Sequence, residues 1–78
     1  MMHHLYLLDD HKKSFNYVYA CLMETLKHNS IQAEQCCLIT HNTGKAHIKQ
    51  GEYLELLEFQ KELEHKELKV ELRKEMYE

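Results

Sequence analysis

Two short segments carry residues that could do chemistry together. Leu5-Tyr-Leu-Leu-Asp-Asp10 is an apolar run that ends on adjacent carboxylates, with His11 next. Thr40-His-Asn-Thr-Gly-Lys45 places an imidazole, His41, three residues before a glycine. A primary ammonium offers three donors and a full positive charge, so it is held by acceptors placed around it. Asp9 and Asp10 supply carboxylate oxygens, and a neutral His41 supplies one ring nitrogen. Charge-assisted hydrogen bonds of this type contribute about 1.5–3 kcal/mol each, and burying a Leu- or Phe-sized side chain adds about 1.5–3 kcal/mol. Micromolar binding takes about 8 kcal/mol, so a polar cradle and an apolar slot are both required. Taken singly, each feature has an ordinary reading. Two acids after a strand usually form a solvated turn, and a histidine at a helix end complements the helix dipole.

These residues must be positioned by a small set of elements. His3–Leu8 reads as a strand with Leu5 and Leu7 on one face and Tyr6 and Leu8 on the other, apolar enough on both to be mostly covered. Ser14 can cap a helix running to about His28, with Phe15, Val18, Leu22 and Leu26 on one stripe. Asn29 opens a second helix, and Gln32 completes a capping box. Ala33, Cys37, Thr40 and His41 share one face of it, and Gly44 supplies the left-handed residue that ends it. Lys45–Gln50 alternates, with Ala46 and Ile48 inward and His47 and Lys49 outward. A third helix is expected from Glu52 to about Leu63 through Tyr53, Leu56, Leu57 and Leu63. Leu68–Arg73 is a strand of strict period two, burying Leu68, Val70 and Leu72. The order β-α-α-β-α-β predicts an α/β, two-layer sandwich: a small three-stranded sheet with three helices on one face.

Composition narrows the class. Seventy-eight residues at 44% hydrophobic make one domain, 1–78, without proline, linker or internal repeat. No apolar run approaches the ~20 residues that span a bilayer, and Met-Met-His-His does not begin a signal peptide. A cytoplasmic protein with no membrane contact is expected. Cys21, Cys36 and Cys37 are odd in number, and two are adjacent, so they are expected as small buried core residues rather than disulfides. The seven histidines form no H-x-x-x-H or H-E-x-x-H, so no metal and no cofactor is expected. Residues 1–51 carry about +1 and residues 52–78 about −4. That is mostly a solvated acidic face with helical pairs such as Glu62 and Lys66. No basic stripe with interleaved aromatics exists, which argues against nucleic acid. Ser/His/Asp and Cys/His motifs and phosphate loops are absent, which argues against an enzyme.

Over most of its length, from about Leu5 to Leu72, the chain resembles ClpS, the adaptor that hands proteins with certain N-terminal residues to a Clp AAA+ protease. The resemblance rests on Leu-Leu-Asp9-Asp10-His11, on Phe15-Asn-Tyr-Val18, and on Cys37-Leu-Ile-Thr-His41-Asn-Thr-Gly44-Lys45. Val18 and His41 keep the family spacing without a gap, and Ala33-Glu-Gln-Cys36 is similar to one branch of the family. It implies a non-catalytic recognin of the N-end rule. Such an adaptor binds bulky hydrophobic N-terminal residues of substrate proteins and docks on the N-terminal domain of the Clp unfoldase. Carried across position by position, the substrate-binding amine site becomes Asp9, His11 and His41, with Asp10 on the wall near the first peptide unit. Phe15, Val18, Cys37 and Thr40 would line the side-chain pocket, and Leu68 would close it from the last strand. Asp9 stands where the family has Asn, and His11 where it has Asp. Moving one turn residue into a gap restores Asp9-Asp10 as the acidic pair but puts Leu8 at the Asn position. The family's flexible N-terminal extension is almost absent from this sequence, and the third helix, which the family uses for docking, differs.

The expected pocket also predicts selectivity. A slot entered end-on accepts side chains unbranched at Cβ and rejects Val and Ile, whose rotamers are restricted; Phe15 at the rim would narrow it. Protonation of His11 or His41 turns an acceptor into a repelling cation, so binding should weaken at acid pH. Two rival functions stand beside the recognin. One is a divergent ClpS-like module that regulates the unfoldase without binding N-terminal residues. The other, less supported, is a small enzyme using His41 with Cys37, which share a helical face but no activating motif.

Overall fold

Residues 2–75 are described in a computed structural model. Six elements follow in the order β1 (His3–Leu8), α1 (Phe15–Leu26), α2 (Ser30–Thr43), β2 (Lys45–Gly51), α3 (Tyr53–His65) and β3 (Val70–Lys74). The strands form one antiparallel sheet in the order β2-β1-β3. Leu5, Leu7, Ile48 and Val70 from the sheet pack in one cluster with Leu22, Leu26, Ala33, Leu56 and Leu63 from the helices. All three helices thus cover the same face, as a two-layer sandwich requires.

Local capping fixes the helix starts. Ser14 Oγ accepts the Tyr17 N–H at 3.1 Å, and Asn29 Oδ1 accepts the Gln32 N–H at 2.8 Å. Each satisfies one of the orphan donors of a first helical turn. Gly44 ends α2 with φ of +90°, its N–H donating to the Thr40 carbonyl at 2.8 Å. A side chain there would meet no neighbour, so the glycine serves the backbone angle rather than close packing. The three cysteines are free and buried.

Several expectations change in the structure. α1 stops at Leu26 rather than His28, because Lys27 turns left-handed at φ +60°. β3 begins two residues late, at Val70, with Leu68 buried just before it. Tyr53 is exposed rather than part of the buried stripe of α3, although its ring meets His3 at 5.2 Å. Lys66 does not pair with Glu62; its ammonium reaches across to Thr25 Oγ1 at 2.6 Å and Glu24 at 3.1 Å. Finally, Lys49 does not face outward. The register places Leu5 opposite Lys49 but Tyr6 opposite His47, so a bulge at Ile48 puts Lys49 on the helix side, its ammonium 5.4 Å from the Phe59 ring centroid.

The helix-free face of the sheet is less covered than expected, with Tyr6 and Leu8 only half-buried. At the opposite end of α1, His28 is buried between helix and sheet, its Nε2 2.9 Å from the Ile48 carbonyl oxygen. A carbonyl only accepts, so Nε2 carries the proton and Nδ1 does not. That Nδ1 is buried without a partner among the described residues. Burial, and secondarily Lys49, hold the ring below the ordinary histidine value, against the Ile48 hydrogen bond.

Candidate functional site

β1 and α2 end side by side. The Asp9 N–H donates to the Gly44 carbonyl at 3.0 Å, and the Leu8 N–H donates to the Lys69 carbonyl at 2.9 Å. These bonds hold the acidic turn next to the last turn of α2, which carries His41, and next to the chain entering β3. The turn itself is closed locally. The Lys13 N–H donates to the Asp10 carbonyl at 3.1 Å, and the Lys12 N–H to Asp10 Oδ1 at 3.0 Å. That backbone hydrogen bond holds the Asp10 carboxyl below its usual range, helped by the nearby lysines 69, 13 and 12. Asp10 therefore stays ionised, with one oxygen already engaged.

Between this turn, α1 and α2 lies a cavity of about 300 Å³. Asp9, Asp10, His11 and His41 are among its polar lining residues. Its walls are Phe15 and Val18 from α1 and Cys37 and Thr40 from α2, and Leu68 closes it from the start of β3. All nine residues singled out from the sequence thus line a single cavity. They differ in exposure: Cys37, Thr40 and Leu68 are buried, Val18 is half-buried, and Phe15 and His41 are exposed. The Thr40 hydroxyl donates back to the Cys36 carbonyl at 2.7 Å, which spends its proton inside the helix. Burial, with Cys36 adding to it, pushes the Cys37 thiol up to about 11, so it is a thiol and not a nucleophilic thiolate at neutral pH.

Five further residues line the cavity: Leu7, Leu8, Lys13, Ser14 and Lys69. Ser14 was legible only as a helix cap and Leu7 only as core. Leu8 belongs to the outward face but reaches the rim because it is the last residue of the strand. Lys13 and Lys69 gave no signal, since isolated lysines read as solvated charge. Lys13 is held by Glu67, Nζ to Oε2 at 3.0 Å, which fastens the start of α1 to the turn before β3. Tyr17 reinforces the same junction, its hydroxyl donating to the Lys66 carbonyl at 2.7 Å.

The family model for the ATP-dependent Clp protease adaptor protein ClpS matches residues 1–73. The chain belongs to the ClpS family. Among solved structures it is similar to that of Agrobacterium tumefaciens ClpS2 bound to L-phenylalaninamide. The TM-score is 0.79 at 15% identity, covering 95% of this chain and 96% of that one. No curated protein sequence matches it. At that identity the structural likeness establishes the ClpS fold alone, while the family match makes the chain an adaptor of the Clp protease. No helix among the described residues is long and apolar enough to cross a membrane.

Proposed function

We propose that this ClpS-family chain is a non-catalytic, cytoplasmic, single-domain adaptor. It would bind proteins with bulky hydrophobic N-terminal residues and deliver them to the N-terminal domain of a Clp AAA+ unfoldase for degradation. One observation carries the reading: Asp9, Asp10, His11 and His41 line the same cavity of about 300 Å³ as the apolar side chains of Val18, Cys37 and Leu68. A protein N-terminus has the matching halves, an ammonium and, one carbon away, a side chain. L-Phenylalaninamide, bound by the Agrobacterium relative, is chemically such an end: a free amine, a benzyl group and an amide in place of the next peptide bond. Asp9 and the free oxygen of Asp10 would accept from the ammonium, and His41 would accept a third proton. Cys37 as a neutral thiol serves as an apolar wall, which agrees with a binding role and not with thiol catalysis.

A second reading is favoured by the cations in the same site. With Asp9 where the family has Asn and His11 where it has an acid, the turn keeps the same number of carboxylates, but Lys13 and Lys69 line the cavity and place two cations beside them. A regulatory module that contacts the unfoldase without holding N-termini fits that charge. Titrating peptides that begin with Leu, Phe, Val and Ala separates the two. The proposal predicts Leu and Phe binding at least about 10-fold tighter than Val or Ala, or about 1.4 kcal/mol. Undetectable binding by all four would discard it in favour of the second reading.

A further inference from the structure

The sheet face turned away from the helices carries a grouping of side chains that the cavity does not use. His4 and Tyr6 project there from β1, and His47 does so from β2, opposite Tyr6. His4 Nδ1 lies 3.0 Å from His47 Nε2, across 43 residues of chain. The other nitrogen of His4, Nε2, lies 3.1 Å from Glu75 Oε1 just beyond β3. The ring of Tyr6 stands edge-on to His47, with centroids 5.4 Å apart.

The carboxylate decides the chemistry of this pair. Ionised Glu75 only accepts, so the neutral ring of His4 carries its proton on Nε2 and points the Nδ1 lone pair at His47. A carboxylate behind a histidine, fixing the tautomer so that the far nitrogen is basic and oriented, is the arrangement that supports metal-binding imidazoles. The spacing agrees. Two ring nitrogens at about 2.0–2.1 Å from a tetrahedral zinc ion stand about 3.3 Å apart, a few tenths of an ångström from the 3.0 Å between His4 and His47. In the unloaded pair His47 Nε2–H donates to that lone pair. Zinc would replace this proton, leaving His47 neutral with its proton on Nδ1, after small rotations of two side chains on neighbouring strands.

We propose that His4 Nδ1 and His47 Nε2 form a two-histidine site for a divalent transition-metal ion of the zinc class, positioned by Glu75 and completed by water. Among the described residues no group of three or more His, Cys, Asp or Glu is placed to hold a metal. The site is therefore an exchangeable surface site, and not a closed structural one of four protein ligands. None of its residues lines the cavity, so it stands whether or not peptides bind. The signal was absent from local spacing because the register of the sheet, and not a helical repeat, brings the rings together.

The test is a titration of the full-length, nitrogen-15-labelled chain with zinc chloride at slightly alkaline pH, read in long-range proton–nitrogen spectra of the imidazoles. His4 Nδ1 and His47 Nε2 should shift together and saturate at one equivalent, before the rings of the other five histidines, His3, His11, His28, His41 and His65, move. His47→Gln should abolish that saturation. Glu75→Gln should keep the stoichiometry and weaken zinc binding about 10-fold, as loss of an outer-shell partner does. The proposal is overturned if the His4 and His47 nitrogens stay in place at a large molar excess of zinc, or if zinc collects first on His11 and His41. Because the unmodified chain gives this readout, a poorly folded variant cannot rescue the idea.

Discussion

The two halves of α1 carry one apolar stripe and put it to opposite uses. Leu22 and Leu26 are 0% and 5% exposed and sit in the shared core. Phe15, two turns earlier, is 42% exposed, and Val18 is half-buried. The helical period is the same along the whole stripe, so periodicity says that a face is apolar and not what covers it. In the C-terminal half α2, α3 and the sheet close over the stripe. In the N-terminal half the acidic turn and the small residues Cys37 and Thr40 leave it facing the cavity. An apolar wall left uncovered beside a polar cradle is what a small-ligand site requires.

Substitutions sharpen or break this contrast, and the largest effect belongs to the closed half. Leu22→Ala should cost about 2–5 kcal/mol in urea denaturation, a large share of the roughly 5–15 kcal/mol available to a typical domain. Val18→Ala should cost less than about 1.5 kcal/mol. Equal losses at the two positions would erase the distinction between core and cavity wall.

The polar lining of the cavity should behave in the opposite way, with a large effect on binding and little on folding. His41→Ala should weaken a Leu-initiated peptide about 10- to 100-fold, the equivalent of one charge-assisted bond of about 1.5–3 kcal/mol. Its unfolding free energy should stay within about 0.5 kcal/mol of the parent, because the ring is exposed. Retained affinity would remove His41 from the role given to it here.

Next in size is a pH effect confined to the closed half. The folded-state value of His28 lies below its unfolded value of about 6.5, so the unfolded chain binds the proton more readily. Its contribution to stability is complete above about pH 6.5 and is lost as the pH falls from there toward the depressed folded value. His28→Gln, which keeps a donor for the Ile48 carbonyl, should flatten that part of the stability profile. An unchanged slope would show that the buried ring is not its source.

The smallest effect is expected at the rim. Phe15→Ala should change stability by no more than about 0.5 kcal/mol yet relax the discrimination between Leu- and Val-initiated peptides by a few-fold. Unaltered discrimination would mean that Phe15 does not narrow the entrance.

What could be read in the residues themselves was local. The caps at Ser14 and Asn29 and the glycine at 44 depend on neighbours three or four residues away, so both helices begin, and α2 ends, as expected. The alternation of Leu5 and Leu7 sufficed to place β1. Residues chosen through the family resemblance line one cavity, because that resemblance encodes how strand end, α1 and α2 converge. What depended on pairing was illegible. The bulge that turns Lys49 toward Phe59 is a property of two strands in register, and the reach of Lys66 to Thr25 depends on how α3 lies against α1. Lys13 and Lys69 entered the site for the same reason, placed by contacts distant in the chain.

The most direct measurement compares a Leu-initiated peptide bearing a free amine with the same peptide N-acetylated, titrated into the unmodified chain. If Asp9, Asp10 and His41 hold a charged terminus, acetylation should reduce affinity at least about 100-fold, the equivalent of about 2.7 kcal/mol. Equal affinity for the two peptides would contradict an ammonium-binding cradle, whatever the apolar cavity accepts.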